Sequence, residues 1–219
     1  MISTPLTVVL NGSRSYVQGT QMLARAAEAL SSSGDVALRQ AVFQNITDHG
    51  VAMTVLGPSD TPPTDAIGRA QFADADGTQI NVSFEKQPGI APRGDIPAGC
   101  KWSLINGAGN HPLDAEYELA GLKTGEDVLV ALIQTIKERH QTLAGDVTDI
   151  WFTGLRRADL QMAHFPAPDG TLKITYNRLM GQDGEYQTMQ LVHFNGTSGH
   201  GFEAVVSFAF KSQDFTNVA

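Results

Sequence analysis

The sequence predicts an α+β protein, a single domain of two similar halves, each an antiparallel sheet wrapped around one long helix. Two long segments with helical spacing of apolar residues each follow a short strand and precede four strand-like segments. Turn signals containing Asp-Gly separate several of those strands. A shift of 111 positions lays Gly34-Asp35-Val36 on Gly145-Asp146-Val147, and also Ser13 on Thr124 and Val17 on Val128. The expected halves are residues 1–90 and 113–219, joined by a connection over 91–112.

Residues 5–10 (Pro-Leu-Thr-Val-Val-Leu) read as a strand, being rich in β-branched and apolar side chains. Ser13 is placed to cap a helix running to Leu30, because its hydroxyl can accept a first-turn N–H. Val17, Met22, Leu23, Ala26, Ala27 and Leu30 fall at helical spacing, and Gly19, Ala24 and Ala29 keep the rest of the surface small. A helix that is small or apolar on most sides is one that gets buried. Strands are expected over 37–46 and 50–57, then a hairpin over 67–74 and 78–86 that turns at Asp76-Gly77. In its second arm Ile80, Val82 and Phe84 alternate with Asn81, Ser83 and Glu85. From Gln87 to Pro112 four prolines break any pattern, so this stretch reads as a linker or a cover over a site.

The second half repeats the order. A strand over 115–121 leads to a helix from Gly125 to Leu143, with Thr124 and Asp127 at capping-box spacing. Leu129, Leu132, Ile133 and Ile136 form its apolar stripe, and Lys137-Glu138-Arg139-His140 reads as an exposed helix end. Strands follow over 148–155, 171–179, 186–195 and 201–211, with turns at Asp169-Gly170, Asp183-Gly184 and 195–201. In the last strand Phe202, Ala204, Val206, Phe208 and Phe210 share one face.

Composition narrows the function. A chain of 219 residues with 42% hydrophobic content can bury a core without staples. Fifteen Lys and Arg against 23 Asp and Glu give a net charge of −8, with no basic stripe, so nucleic acid is not an expected partner. The single Cys100 permits no internal disulfide and suits a reducing compartment. Met1-Ile2-Ser3-Thr4-Pro5 does not read as a secretion signal, and no apolar run reaches the roughly 20 residues that span a bilayer. The expectation is a soluble, cytoplasmic protein. No spacing of His, Cys and carboxylates suggests a metal, and no cofactor is expected.

One strand, a long apolar helix and then an antiparallel run of strands, twice over, resembles the double-hotdog proteins of acyl-thioester metabolism, among them dehydratases, thioesterases and polyketide enzymes. His164-Phe165-Pro166 looks like the His-Phe-Pro of fatty-acid dehydratases, although here it follows a strand well after the second helix. The resemblance implies action on an acyl or polyketide thioester carried by CoA or by an acyl carrier protein, through dehydration, hydrolysis or a related proton transfer. It further implies a groove lined by helix N-termini and facing strands, and it allows a homodimer. A cone-shaped lipid-binding sheet would begin with a similar order of elements.

The candidate catalytic residues are Asp127 and Glu126, at the start of the second helix, and the adjacent Asp48 and His49. A carboxylate there can orient water on a thioester carbonyl, and histidine titrates near neutrality. Asp127 or Glu126 paired with His49 is the expected acid–base set. The plainer account has both carboxylates favouring the positive end of the helix dipole, and Asp48-His49-Gly50 serving as a turn. Candidate substrate-binding residues are Tyr16, Gln18 and Gln21, polar groups of the first helix that with Ser13 and Ser15 could bind a carbonyl or phosphate at its N-terminus, and His164. A non-catalytic binder of an apolar small molecule, a pathway scaffold and a self-assembling structural protein are the alternatives.

Overall fold

The computed structural model describes residues 3–11, 15–31, 34–94, 99–107, 109–143, 147–182 and 184–212. The expected Ser13 cap, the Asp183 turn residue and the Gly145-Asp146 part of the repeat lie outside them. The chain forms two compact units: Met1–Ala98 with Thr124–Glu126 and Leu160–His164, and Gly99–Lys123 with Asp127–Asp159 and Phe165–Ala219.

In the first unit, β1 (Ser3–Leu6) and β2 (Leu10–Asn11) precede α1 (Gly19–Leu30), followed by β3 (Ala37–Phe43), β4 (His49–Leu56), β5 (Gly68–Ala73), β6 (Gln79–Ile90) and β7 (Arg93–Gly94). The sheet runs β1-β4-β6-β5-β3, all antiparallel, while β2 and β7 form a short parallel pair. Met22, Leu23, Ala26 and Ala27 of α1 are buried, as are Leu38, Met53, Phe72, Val82 and Phe84 of the strands. The hairpin is the one expected, with Asp74 and Thr78 hydrogen-bonded across Gly77, whose φ of +81° favours glycine.

Three expectations for this unit change. The strand over 5–10 is broken into β1 and β2. The helix starts at Gly19, not near residue 13, because Gln18 is extended (φ −79°, ψ 138°) and the Val17 N–H bonds to the Thr47 carbonyl. Val17 is therefore buried just ahead of the helix rather than in it. Finally, β6 continues to Ile90, further than its alternating pattern suggested.

The short β11 (Leu160–Gln161) also belongs to the first unit and pairs with β3. The second unit contains β8 (Lys101–Asn106), β9 (Ala115–Ala120), most of α2 (Gly125–Leu143), β10 (Thr148–Arg156), β12 (Gly170–Gln182), β13 (Glu185–Gly196) and β14 (Gly201–Lys211). Here the strands run β10-β14-β13-β12-β9-β8, again antiparallel. The buried face of β14 is Phe202, Ala204, Val206, Phe208 and Phe210, as its alternation predicted. α2 packs on that face: Tyr117 Oη of β9 donates to the Thr135 carbonyl at 3.3 Å, and His140 lies against the rings of Phe208 and Phe210. β8 is a strand within the stretch read as a pattern-free connection.

Both units place one antiparallel sheet with one long helix, but their strand orders differ. In the first unit the fourth strand after the helix lies between the second and third, whereas in the second unit the last three, β12, β13 and β14, are neighbours in chain order and β14 pairs with β10.

Candidate functional site

The start of α1 has an unusual electrostatic setting. Its N-cap, Gln18, makes no side-chain cap bond, and no acidic residue occupies the first turn. The Gln18 carbonyl accepts the N–H groups of Gln21 and Met22, which leaves the helix's positive end without a carboxylate of its own. By contrast, α2 carries Glu126 and Asp127 in its first turn, and the Asp127 carboxylate accepts the Lys123 N–H at 2.9 Å.

Packing fixes the α1 terminus. A Cβ on Gly19 would lie 2.8 Å from the Phe43 ring, so a larger residue there would require the ring to shift. Gln21 is 7% exposed; its Oε1 accepts the Val9 N–H at 2.7 Å and its Nε2 donates to Asn11 Oδ1 at 3.4 Å. Asn11 Nδ2 in turn donates to Gln18 Oε1 at 3.5 Å. Gln21 thus anchors the segment before the helix, and Tyr16 and Gln18 are half-buried beside it.

The same segment holds the Asp48–His49 pair. The Val17 N–H donates to the Thr47 carbonyl at 2.7 Å, and the Thr47 hydroxyl accepts the His49 N–H at 3.1 Å. His49 Nδ1 lies 2.5 Å from Asp48 Oδ1. Since the carboxylate accepts, Nδ1 carries the proton and Nε2 on the opposite edge of the ring is the basic position. This hydrogen bond from His49 is the main reason the Asp48 carboxyl sits below its ordinary value, helped by the Lys86 ammonium. The side chains are 28% and 49% exposed, so water reaches both.

A bulge shapes the strand opposite. His49 pairs with Ile90 but Val51 pairs with Lys86, so β6 carries extra residues there, among them Pro88 and Gly89 at φ +88°. Beyond it Ile90 stands 70% exposed beside His49.

The other expected residues lie elsewhere. Glu126 forms an ion pair with Arg25 at 2.9 Å, beside a recess of about 210 Å³ lined by Ala24, Ala27, Thr124 and Met162. The structure thus brings His49 together with Asp48, while Glu126 and Asp127 have the partners just described. His164 is exposed in the loop after β11. Cys100 is buried, donates to the Asp127 carbonyl, and burial pushes its thiol up to about 11, so it is no nucleophile at neutral pH.

The sequence missed one polar cluster. His140, read as part of an exposed helix end, is 1% exposed, and Lys137 is also buried. Its Nδ1 donates to the Ile136 carbonyl at 2.8 Å, and its Nε2 accepts from Thr188 Oγ1 at 2.9 Å and Gln190 Nε2 at 3.4 Å. The signal was there: His140 continues the stripe of Leu129, Leu132, Ile133 and Ile136 at helical spacing. It is sealed in the core, which marks it as structural. Among the described residues, no group of three or more His, Cys, Asp or Glu is placed to hold a metal ion, and no helix is long and apolar enough to cross a membrane.

No family model matches the chain, and no curated protein matches it. Solved structures do. The TesB protein of Mycobacterium avium subspecies paratuberculosis aligns with a TM-score of 0.54 at 12% identity, over 93% of this chain and 91% of that one. A protein assigned as a thioesterase from Novosphingobium aromaticivorans gives 0.53 at 14%, over 96% and 94%. A protein assigned as a thioesterase II from Thermobifida fusca gives 0.52 at 11%, over 92% and 89%. The chain has the fold of these thioesterases. The resemblance to double-hotdog acyl-thioester proteins therefore holds at the level of fold.

Proposed function

We propose that this protein hydrolyses an acyl thioester, with Asp48 and His49 as the acid–base pair and the start of α1 as the carbonyl-binding element. The observation that carries the reading is the 2.7 Å bond from Val17 to Thr47, which ties the dyad's loop to the residues entering the α1 N-terminus, where Gln18 makes no side-chain cap bond. In this reading His49 Nε2 removes a proton as water attacks the thioester carbonyl. The first-turn N–H groups and the helix dipole stabilise the oxyanion. The C–S bond breaks, the thiolate takes the proton from His49, and the free acid leaves. Asp48 holds the imidazole in the required tautomer. The two units act as tandem hotdog-like halves, and no cofactor takes part.

The shared fold with three proteins described as TesB or thioesterases supports the substrate class. The test is incubation with acyl-, 3-hydroxyacyl- and aromatic acyl-CoA thioesters, followed by mass spectrometry. Release of free acid, lowered in His49→Ala by roughly 100-fold or more, is expected. Loss of water without acid release would assign dehydration instead, and no change with any substrate would sink the proposal.

A second reading, binding without chemistry, is favoured by one feature. A groove of about 480 Å³ at one end of the second unit's sheet is lined by Trp151, Met180, Tyr186 and Phe210, and its charged groups, Glu185 and Lys211, are paired with each other. An apolar molecule that co-purifies with the protein, detected by native mass spectrometry, would favour this reading.

A further inference from the structure

We propose that the face of the second unit's sheet turned away from α2 holds a binding site for a planar aromatic carboxylate, with Trp151, Ala209 and Met180 around the ring and Lys211 on the carboxylate. This names the ligand class of the groove described above, and it holds whether or not Asp48 and His49 hydrolyse a thioester.

Register builds the site. Ala209 lies between Phe208 and Phe210 in β14, so it points away from the face on which α2 packs. It pairs with Trp151 of β10 on one side and with Gln187 of β13 on the other, and Gln187 pairs with Met180 of β12. Directly paired residues share a face. The four therefore form one row, with the methyl of Ala209 as a low floor between an indole and an amide. Trp151 reaches this row only through a bulge. From Thr148 opposite Lys211, plain alternation would set Trp151 opposite Phe208, on the α2 side. The extra residue, with Asp149 at φ +47°, sets it opposite Ala209 instead. Asp tolerates that left-handed conformation better than most side chains.

The groove so formed has a volume of about 480 Å³, within the range of small-molecule sites. Successive strand spacings put Trp151 and Met180 roughly 14 Å apart, which gives a molecule of two fused rings room to lie flat on Ala209. An indole and a thioether both favour an aromatic ring, and a rigid ring loses less freedom on binding than an alkyl chain of equal area. Charge sets the ligand's polar end. Lys211 projects on the same face as Ala209 and pairs with Glu185 at 3.5 Å, the side chains being 51% and 77% exposed. So open a pair contributes little, and the ammonium can exchange Glu185 for a ligand carboxylate.

The test is isothermal titration calorimetry of 2-naphthoate, 2-naphthamide and decanoate on wild type, Ala209→Leu, Lys211→Gln and Glu185→Gln. Circular dichroism verifies that the variants fold, and the two exposed charge variants carry the test if Ala209→Leu does not. Wild type should bind 2-naphthoate saturably and more tightly than decanoate. Ala209→Leu, which fills the floor, should weaken that binding by about tenfold or more, and Lys211→Gln by about threefold. Glu185→Gln, which removes the competing carboxylate, should tighten it. The uncharged 2-naphthamide should bind wild type and Lys211→Gln alike. No saturable binding, decanoate bound as tightly as 2-naphthoate, or 2-naphthoate binding unchanged in the folded variants overturns the inference. A co-purified molecule and acid release from acyl-CoA are read in other assays, so failure here is told apart from failure of either reading above.

Discussion

Two histidines illustrate how surroundings decide what one side-chain type does. His49 has a carboxylate on Nδ1 and water within reach, the arrangement of a general base. His140 has a carbonyl on Nδ1, a hydroxyl and an amide on Nε2, and aromatic rings around it, and burial pushes its pKa down to about 4. It is therefore neutral in the folded state. An imidazole whose folded pKa lies below its ordinary 6.5 costs stability as pH falls. The loss should begin below pH 6.5, reach its full size near pH 4, and amount to about 3 kcal/mol. Urea titrations of wild type and His140→Gln at neutral and acidic pH check this; the variant should lack that part of the acid destabilisation, and identical pH dependence would refute it. Asp48→Asn should lower turnover less than His49→Ala, since it removes orientation but leaves the base, and steady-state kinetics on one acyl-CoA would show the order. At this scale Asp48 and His49 were legible because they are neighbours in the chain. The burial of His140 was not, because adjacent charged residues masked its place on an apolar stripe.

Among the elements, α1 shows how a helix start is set by what meets it. Its boundary is decided by a bond from Val17 to another loop and by contact between Gly19 and Phe43, neither of which local propensity contains. Gly19→Ala places a methyl 2.8 Å from that ring and should destabilise the protein by about 1–3 kcal/mol. Phe43→Leu should recover part of the loss in the double variant, and a thermal-unfolding cycle measures the coupling. No recovery would mean that the two residues do not meet as described. The hairpin of β5 and β6 was readable because Asp76-Gly77 and a period-two alternation are local signals. The strand β8 was not: most of its residues are exposed, so it shows no alternation, and it is held by pairing to β9.

For the molecule as a whole, the order of elements along the chain was visible and pointed to the fold shared with the TesB-like and thioesterase structures, because helical and strand periodicities differ. The order of strands within each sheet was not. The exchange of β5 and β6 relative to the later unit follows from which edges pair, and pairing between distant strands leaves no trace in either period. The candidate site shares that limit, since Thr47 and Val17 are 30 positions apart and meet only through the fold. The central claim is that Asp48 and His49, rather than the carboxylates that open α2, carry the chemistry. The most direct measurement is the release of free thiol from one acyl-CoA by wild type, His49→Ala and Glu126→Gln side by side. Activity lost in His49→Ala and retained within about threefold in Glu126→Gln is the predicted result. Activity retained in His49→Ala and lost in a folded Glu126→Gln would contradict the account and move the site to the start of α2.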